Sequence, residues 1–365
     1  MRRAFGLLLI AATISLSPAA SRAEEGLAGH YFPGALSSSF DLAPLRLEDS
    51  PGYTLAASNI STYYHGSSNT FGTNATSYTN TSVFLYQFPG RISNFLPGKP
   101  QYSVALAVPY TWLKVHTPAG KDTDNGFGDV EMFPILLNWN EYRFLRPEIK
   151  DQNFPYLSRY QMGFGIFAPT GAFESGPKAN IGKNYWTFEP SAAVSYVLTP
   201  SVGSPYSLEF TNSAGFDFNT ENGKTHYQTG DQFHWDGTLA AYLVLFGGAE
   251  NEATATAGVG VSGYYYQQFT GDSVNGTSIG FKGKTIGVGP NLSYLYKNAP
   301  GNMVMGAQVK WLPELSVSNR LQGNIVWLKL VFAWGAPAQK TLEAAALQAA
   351  PTPPTARALY AIPSL

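Results

Sequence analysis

Ser213, His234 and Asp236 are the residue types of a hydrolytic triad, and the stretch that holds them, "SAGFDFNTENGKTHYQTGDQFHWD", reads as two strands around an Asn-Gly turn. With the turn near Lys224, antiparallel pairing sets Ser213 opposite Asp236 and Gly215 opposite His234. Acyl transfer needs the imidazole within hydrogen-bond reach of the serine, and a lipid substrate needs that serine on the outer surface. Alternation places all three on an inner face, so a lipid-modifying enzyme is the weaker alternative, and no catalytic residue is assigned. The pattern "GTSIG" (Gly276 to Gly280) falls between two expected strands, without the strand-turn-helix setting that gives a nucleophile elbow its meaning.

Metal and cofactor chemistry finds no stronger support. The five histidines (His30, His65, His116, His226, His234) are scattered, with no His-x-x-x-His spacing. His226 and His234 with Asp231 and Asp236 form the one local group, which a solvated loop explains equally well. Cysteine is absent, which removes disulfides, thiolate ligands and thiol nucleophiles. No metal and no cofactor are expected.

The elements around these residues alternate with period two. In "YSLEFTNSAGFDFN", Tyr206, Leu208, Phe210, Ala214, Phe216 and Phe218 share one face, with Asn212 the exception, and polar or small residues share the other. "DQFHWDGTLAAYLVLF" and "NYWTFEPSAAVSYVL" repeat the design. Carried along the chain, the pattern gives about twelve strands. They lie near Gly52 to Tyr64, Thr81 to Arg91, Gln101 to Val115, Phe127 to Trp139, Ser158 to Pro169 and Asn184 to Leu198. The rest lie near Tyr206 to Asn219, Gly230 to Phe246, Ala253 to Phe269, Ile279 to Tyr296, Asn302 to Leu312 and Leu321 to Trp334. Pro109, Pro134, Pro190 and Pro290 require bulges or protected ladder positions.

Composition agrees with strands. Of 365 residues, 37 are glycine, 22 tyrosine and 23 phenylalanine, and only 13% are charged, a balance suited to sheets and turns. Runs of roughly 11 to 18 residues exceed the usual soluble strand and match a tilted bilayer crossing with aromatic ends. The expected fold is all-β: a transmembrane antiparallel up-and-down barrel over 51–334, which satisfies every backbone polar group in lipid. Polar connections such as "HTPAGKDTDNG", "TGAFESGPKANIGK" and "TENGKTHYQT" are expected as outer loops, and Asn140 to Leu157 as a small periplasmic or lumenal excursion.

Residues 1–23 combine a basic start, an apolar run and small residues before Glu24, the pattern of a secretory signal peptide. Its removal takes the basic count from 23 to 20 against 24 acidic residues, a net of −4, and no nucleic-acid partner is implied. Residues 24–50 show turn residues and aromatics with little alternation; they are expected to fold into the lumen as a plug, with His30, Tyr31 and Phe32 as its contacts, or to lie in the periplasm. Residues 335–365 hold a short helical pattern and then "PTPPT", expected as a periplasmic tail.

Inward-facing polar residues would line the lumen or solute pathway: Arg159, Glu189, Glu209, Asp217, His234, Asp236, Gln308, Lys310 and Lys329. In "NIVWLKLVFAW" the even positions from Val326 to Trp334 would meet lipid, leaving Trp327 and Lys329 inside, where a charge is tolerated. The aromatic finish of that strand resembles the closing signal read by the outer-membrane assembly machinery, an expected partner besides the bilayer itself.

Five stretches carry a family resemblance: "EEGLAGHYFPGALSSSF" (Glu24 to Phe40), "NGFGDVEMFPILLNW" (Asn125 to Trp139), "FAPTGAF" (Phe167 to Phe173), "NIGKNYWTFEPSAAVSYVL" (Asn180 to Leu198) and "FDFNTENGKTHYQTGDQFHWD" (Phe216 to Asp236). Together they resemble the meta-pathway phenol-degradation family of bacterial outer-membrane β-barrel proteins. The resemblance implies a channel or transporter in the Gram-negative outer membrane that admits small hydrophobic or aromatic compounds passively. A structural or adhesive barrel acting through its loops stands as a further alternative.

Overall fold

The computed structural model describes residues 30–31, 54–68, 70, 72–92, 99–144, 155–175, 179–198, 204–247, 253–298 and 303–335. The signal-peptide expectation, the rest of 24–50 including Phe32, and the tail from 336 onward lie outside the described residues.

Among the described residues sixteen strands follow one another. They are β1 (Thr54–Ser68), β2 (Thr73–Gln87), β3 (Gln101–Thr117), β4 (Gly120–Phe127), β5 (Val130–Phe144), β6 (Pro155–Ala168), β7 (Thr187–Leu198) and β8 (Tyr206–Asn219). Then come β9 (Tyr227–Gln228), β10 (Gln232–Phe246), β11 (Ala253–Gln268), β12 (Ser273–Val274), β13 (Thr277–Ser278), β14 (Lys284–Asn298), β15 (Met303–Ser318) and β16 (Gln322–Gly335). β4 and β5 act as one crossing interrupted at Gly128 and Asp129, both pairing with β3. The twelve crossings run antiparallel around a closed ring, sealed where β1 pairs with β16 from Thr54↔Gly335 to Ser67↔Gln322. Closure pairs both edges of every crossing except along β4, which pairs with β3 alone. Among the described residues no helix is long and apolar enough to cross a membrane, which says nothing of crossing by strands.

Period-two alternation sorts each strand. In β16, Val326, Leu328, Leu330, Phe332 and Trp334 are exposed on the outer surface while Ile325, Trp327 and Lys329 are buried inside. In β8, Phe210, Phe216 and Phe218 point out and Glu209, Thr211, Asp217 and Asn219 point in. Residues open to the surroundings are here the apolar ones, the reverse of a water-soluble sheet and the pattern of a lipid-facing wall.

Pro109, Pro134, Pro190 and Pro290 each sit beside a break in a ladder. Pro109 marks the point where β3 passes from β5 to β4, and its carbonyl accepts from the Gly128 amide. Pro134 lies in the register shift between Met132 and Ile135, Pro190 between the pairs at Phe188 and Ser191, and Pro290 between those at Gly287 and Asn291. A residue without an N–H is tolerated where no ladder bond is required of it.

Three sequence expectations need correction. "HTPAGKDTDNG" is a tight hairpin, since β3 extends to Thr117 and β4 starts at Gly120. β5 and β6 take up Asn140 to Phe144 and Pro155 to Leu157, so the expected excursion shrinks to 145–154, which lies outside the described residues. The connections 220–231 and 269–283 build a small sheet of their own from β9, β12 and β13. Asp272 knits them: it accepts from the Tyr227 hydroxyl (2.5 Å), the Gly230 amide (2.8 Å) and the Gln268 amide group (2.6 Å). Polar composition marked these segments as loops, but hairpin extensions beyond a membrane are equally polar, because water surrounds both faces.

Candidate functional site: the barrel lumen

The inner wall of β7, β8 and β10 is dense with acid. Glu189, Glu209, Asp217 and Asp236 are all buried, and His234 stands among them with no exposure. The register places Gly215 across from His234 and Ser213 across from Asp236, as the sequence suggested. No triad results. His234 Nε2 lies 3.2 Å from Asp217 Oδ1 and 3.6 Å from Glu189 Oε2, while the Ser213 hydroxyl donates to the Asp236 main-chain carbonyl at 3.5 Å. The imidazole faces carboxylates instead of a nucleophile.

One level along the wall, Arg159, Ser195, Thr211, Thr238 and Ser262 follow one another across four ladders. Thr211 Oγ1 is 2.8 Å from Glu209 Oε1 and 2.9 Å from Ser195 Oγ. Thr211 is the donor in both contacts, its one proton shared between the carboxylate and the serine hydroxyl. Thr238 and Ser262 share a bond of 2.8 Å. Arg159 is half-buried. On β15 and β16, Gln308, Lys310 and Lys329 are buried, with Gln308 directly across from Lys329 and donating to Asn291 Oδ1 at 3.3 Å. The two lysines flank an apolar cluster of Ile60, Tyr264, Leu312, Ile325 and Trp327. All nine residues read from the sequence as lumenal thus lie on the inner wall, spread over three arcs.

His30 and Tyr31 lie inside the barrel. The His30 ring makes contacts of 2.7 Å from Nδ1 to Thr187 Oγ1 and 2.8 Å from Nε2 to Asp129 Oδ2, and stacks on Phe167 with centroids 4.9 Å apart. Tyr31 donates to Asp236 Oδ1 at 2.7 Å and stacks on His234 at 4.0 Å. Two consecutive residues therefore bridge the β5–β7 side of the lumen to β10. Asp129 also accepts the Gly171 amide at 2.8 Å and the Lys183 amide at 2.7 Å. The Thr187 hydroxyl is spent on Asn219 Oδ1, so His30 Nδ1 donates to it.

Asp129 escaped the sequence reading because it lies where Gly128 breaks the alternation. Alternation puts Thr187 and Gln232 on the polar faces of their strands without singling them out as lumen residues. The expected local group of His226, His234, Asp231 and Asp236 does not form: His226 pairs with Glu221 at 2.8 Å on the surface. Among the described residues the structure instead gathers Glu189, Asp217 and His234, with one ligand-type atom from each within 4.8 Å of the others. A search for histidine spacing overlooked that group because two of its members lie on other strands.

A closed twelve-crossing barrel with an apolar exterior and a charged lumen stands beside a match of residues 52–330 to the family described as "Putative MetA-pathway of phenol degradation". The chain belongs to that family. Its fold is similar to the crystal structure of an outer membrane channel from Pseudomonas putida F1, at 13% identity and a TM-score of 0.50, covering 79% of this chain and 99% of that one. The β domain of the Bordetella autotransporter BrkA matches at 10% identity and a TM-score of 0.40, covering 78% and 99%. No curated protein sequence matches the chain. The barrel is of the type found in the outer membrane of Gram-negative bacteria.

Proposed function

We propose that this protein is an outer-membrane channel for passive uptake of small hydrophobic or aromatic compounds, with the segment 24–50 acting as a plug. The observation that carries the reading is the seat of His30 and Tyr31 on the inner wall, reached by bonds to residues 99 to 205 positions away. A structural barrel has no need of a segment placed across its lumen, whereas a regulated pathway does. Arg159, Glu189, Glu209, Asp217, His234, Asp236, Gln308, Lys310 and Lys329 line the pathway, with the cluster around Trp327 offering the apolar surface that an aromatic solute would meet. The end bearing Thr54 and Gly335 faces the periplasm, and the small sheet of β9, β12 and β13 faces outward.

Planar-bilayer recording of the purified protein and of a variant lacking 24–50 tests this. Deletion should raise unitary conductance, and liposomes containing the protein should admit phenol-sized aromatics faster than empty ones. Equal conductance in both proteins would overturn the plug, and absence of conductance and uptake in both would overturn the channel.

A further inference from the structure

Glu189, Asp217 and His234 meet beneath Tyr31 in a pocket where protein hydrogen bonds leave much unsatisfied. Asp217 and His234 have no exposure and Glu189 only 2%. Beyond the contacts of His234 Nε2 at 3.2 and 3.6 Å, the remaining atoms Glu189 Oε1, Asp217 Oδ2 and His234 Nδ1 have no hydrogen-bond partner. A second, independent feature lies beside them. Gln232, across the ladder from Asp217 and two positions before His234, is wholly buried with neither amide atom bonded. Gly215 opposes His234 and Gly165 opposes Glu189, so the neighbouring wall positions add no bulk.

Two enclosed carboxylates cost several kcal/mol each unless countercharge is supplied, and one imidazolium supplies half of it. A divalent ion supplies all. Spacing agrees as well: tetrahedral bonds of about 2.1 Å set ligand atoms roughly 3.4 Å apart, between the two separations seen. One imidazole nitrogen with carboxylate oxygens suits a first-row ion, whereas calcium asks for six to eight oxygens and magnesium keeps its waters.

We propose that Glu189, Asp217 and His234 bind one divalent transition-metal ion, with zinc the best fit. His234 Nε2 and one oxygen of each carboxylate are the ligands, and Gln232 Oε1 or water completes the shell. Binding takes Nε2 without its proton, which is released to solvent while Nδ1 keeps the other. Tyr31 stacks over His234, so the ion enters as the barrel folds.

The test uses the full-length protein, unfolded with chelator, refolded in detergent with zinc and dialysed. One equivalent of zinc should remain, and refolding with cobalt should give the visible absorption of a four-coordinate ion. Glu189→Gln, Asp217→Asn and His234→Ala should each weaken zinc affinity at least tenfold while retaining heat-modifiable gel mobility. Wild-type protein that holds no zinc and shows no cobalt band would overturn the proposal. So would zinc retained equally by all three variants, which would place it elsewhere. Zinc retention is read without conductance, so its failure and failure of the channel reading are separate results.

Discussion

On β7, β8 and β10 the inner wall carries Glu189, Glu209, Asp217 and Asp236 packed among hydroxyls and one imidazole, whereas on β15 and β16 it carries Lys310 and Lys329 set beside Ile325, Leu312 and Trp327. Both arcs bury charge, and they do so by different means. The acidic arc holds short side chains that crowd one another, and partners reach it from another part of the chain, as Tyr31 does. The basic arc holds two buried lysines whose long aliphatic stems lie beside an apolar cluster. Opposite signs on the two arcs lay a transverse field across the lumen.

Removing one arc is the severest test. Lys310→Glu combined with Lys329→Glu leaves the lumen with acid on both sides, and a buried charge without its countercharge costs about 3–5 kcal/mol. Urea unfolding followed by heat-modifiable mobility should show the loss, and any channel that survives should turn strongly cation-selective. Moving a charge by one residue sharpens the same point. Leu328→Lys puts on the outer wall of β16 what Lys329 puts on the inner, and the cost should be about 2–4 kcal/mol at mid-membrane depth, read by the same assay.

A smaller effect probes how the acidic arc is satisfied. Tyr31→Phe keeps the stack on His234 but strips Asp236 of a donor, which should weaken docking of the segment by about 1–3 kcal/mol and raise open probability in bilayer recordings. An effect of similar size on stability, with none on ion selectivity, concerns the apolar neighbours of the lysines: Trp327→Phe keeps that cluster apolar and should cost no more than about 1–3 kcal/mol as a partly filled cavity. A selectivity change as large as that of the lysine reversal would mean that the arcs do not act through charge.

Much of this wall was legible in the chain. Alternation in "YSLEFTNSAGFDFN" and "NIVWLKLVFAW" told inward from outward residues because successive side chains of any strand point to opposite faces, a local property. Legibility failed where locality fails. Alternation breaks along β5 because Pro134 and the interruption at Gly128 shift its register, and Asp129 was invisible for the same reason. The inner apolar cluster was hidden too: Ile60, Tyr264, Leu312 and Ile325 interrupt the polar side of their strands, and only the curvature of the closed barrel brings them together.

The sequence by itself determined that the chain makes about twelve long amphipathic strands, which face of each meets lipid, and which charges stay inside. Period two and composition suffice for that, since both are set by neighbours along the chain. Only the tertiary structure decided which inward residues meet. Closure of β1 on β16 fixes the lateral order of the strands and hence that Glu189, Asp217 and His234 share a pocket. The placement of His30 against Thr187, 157 positions away, follows from the shape of the enclosed space. Contacts of that kind depend on the depth and register of strands that no local pattern encodes.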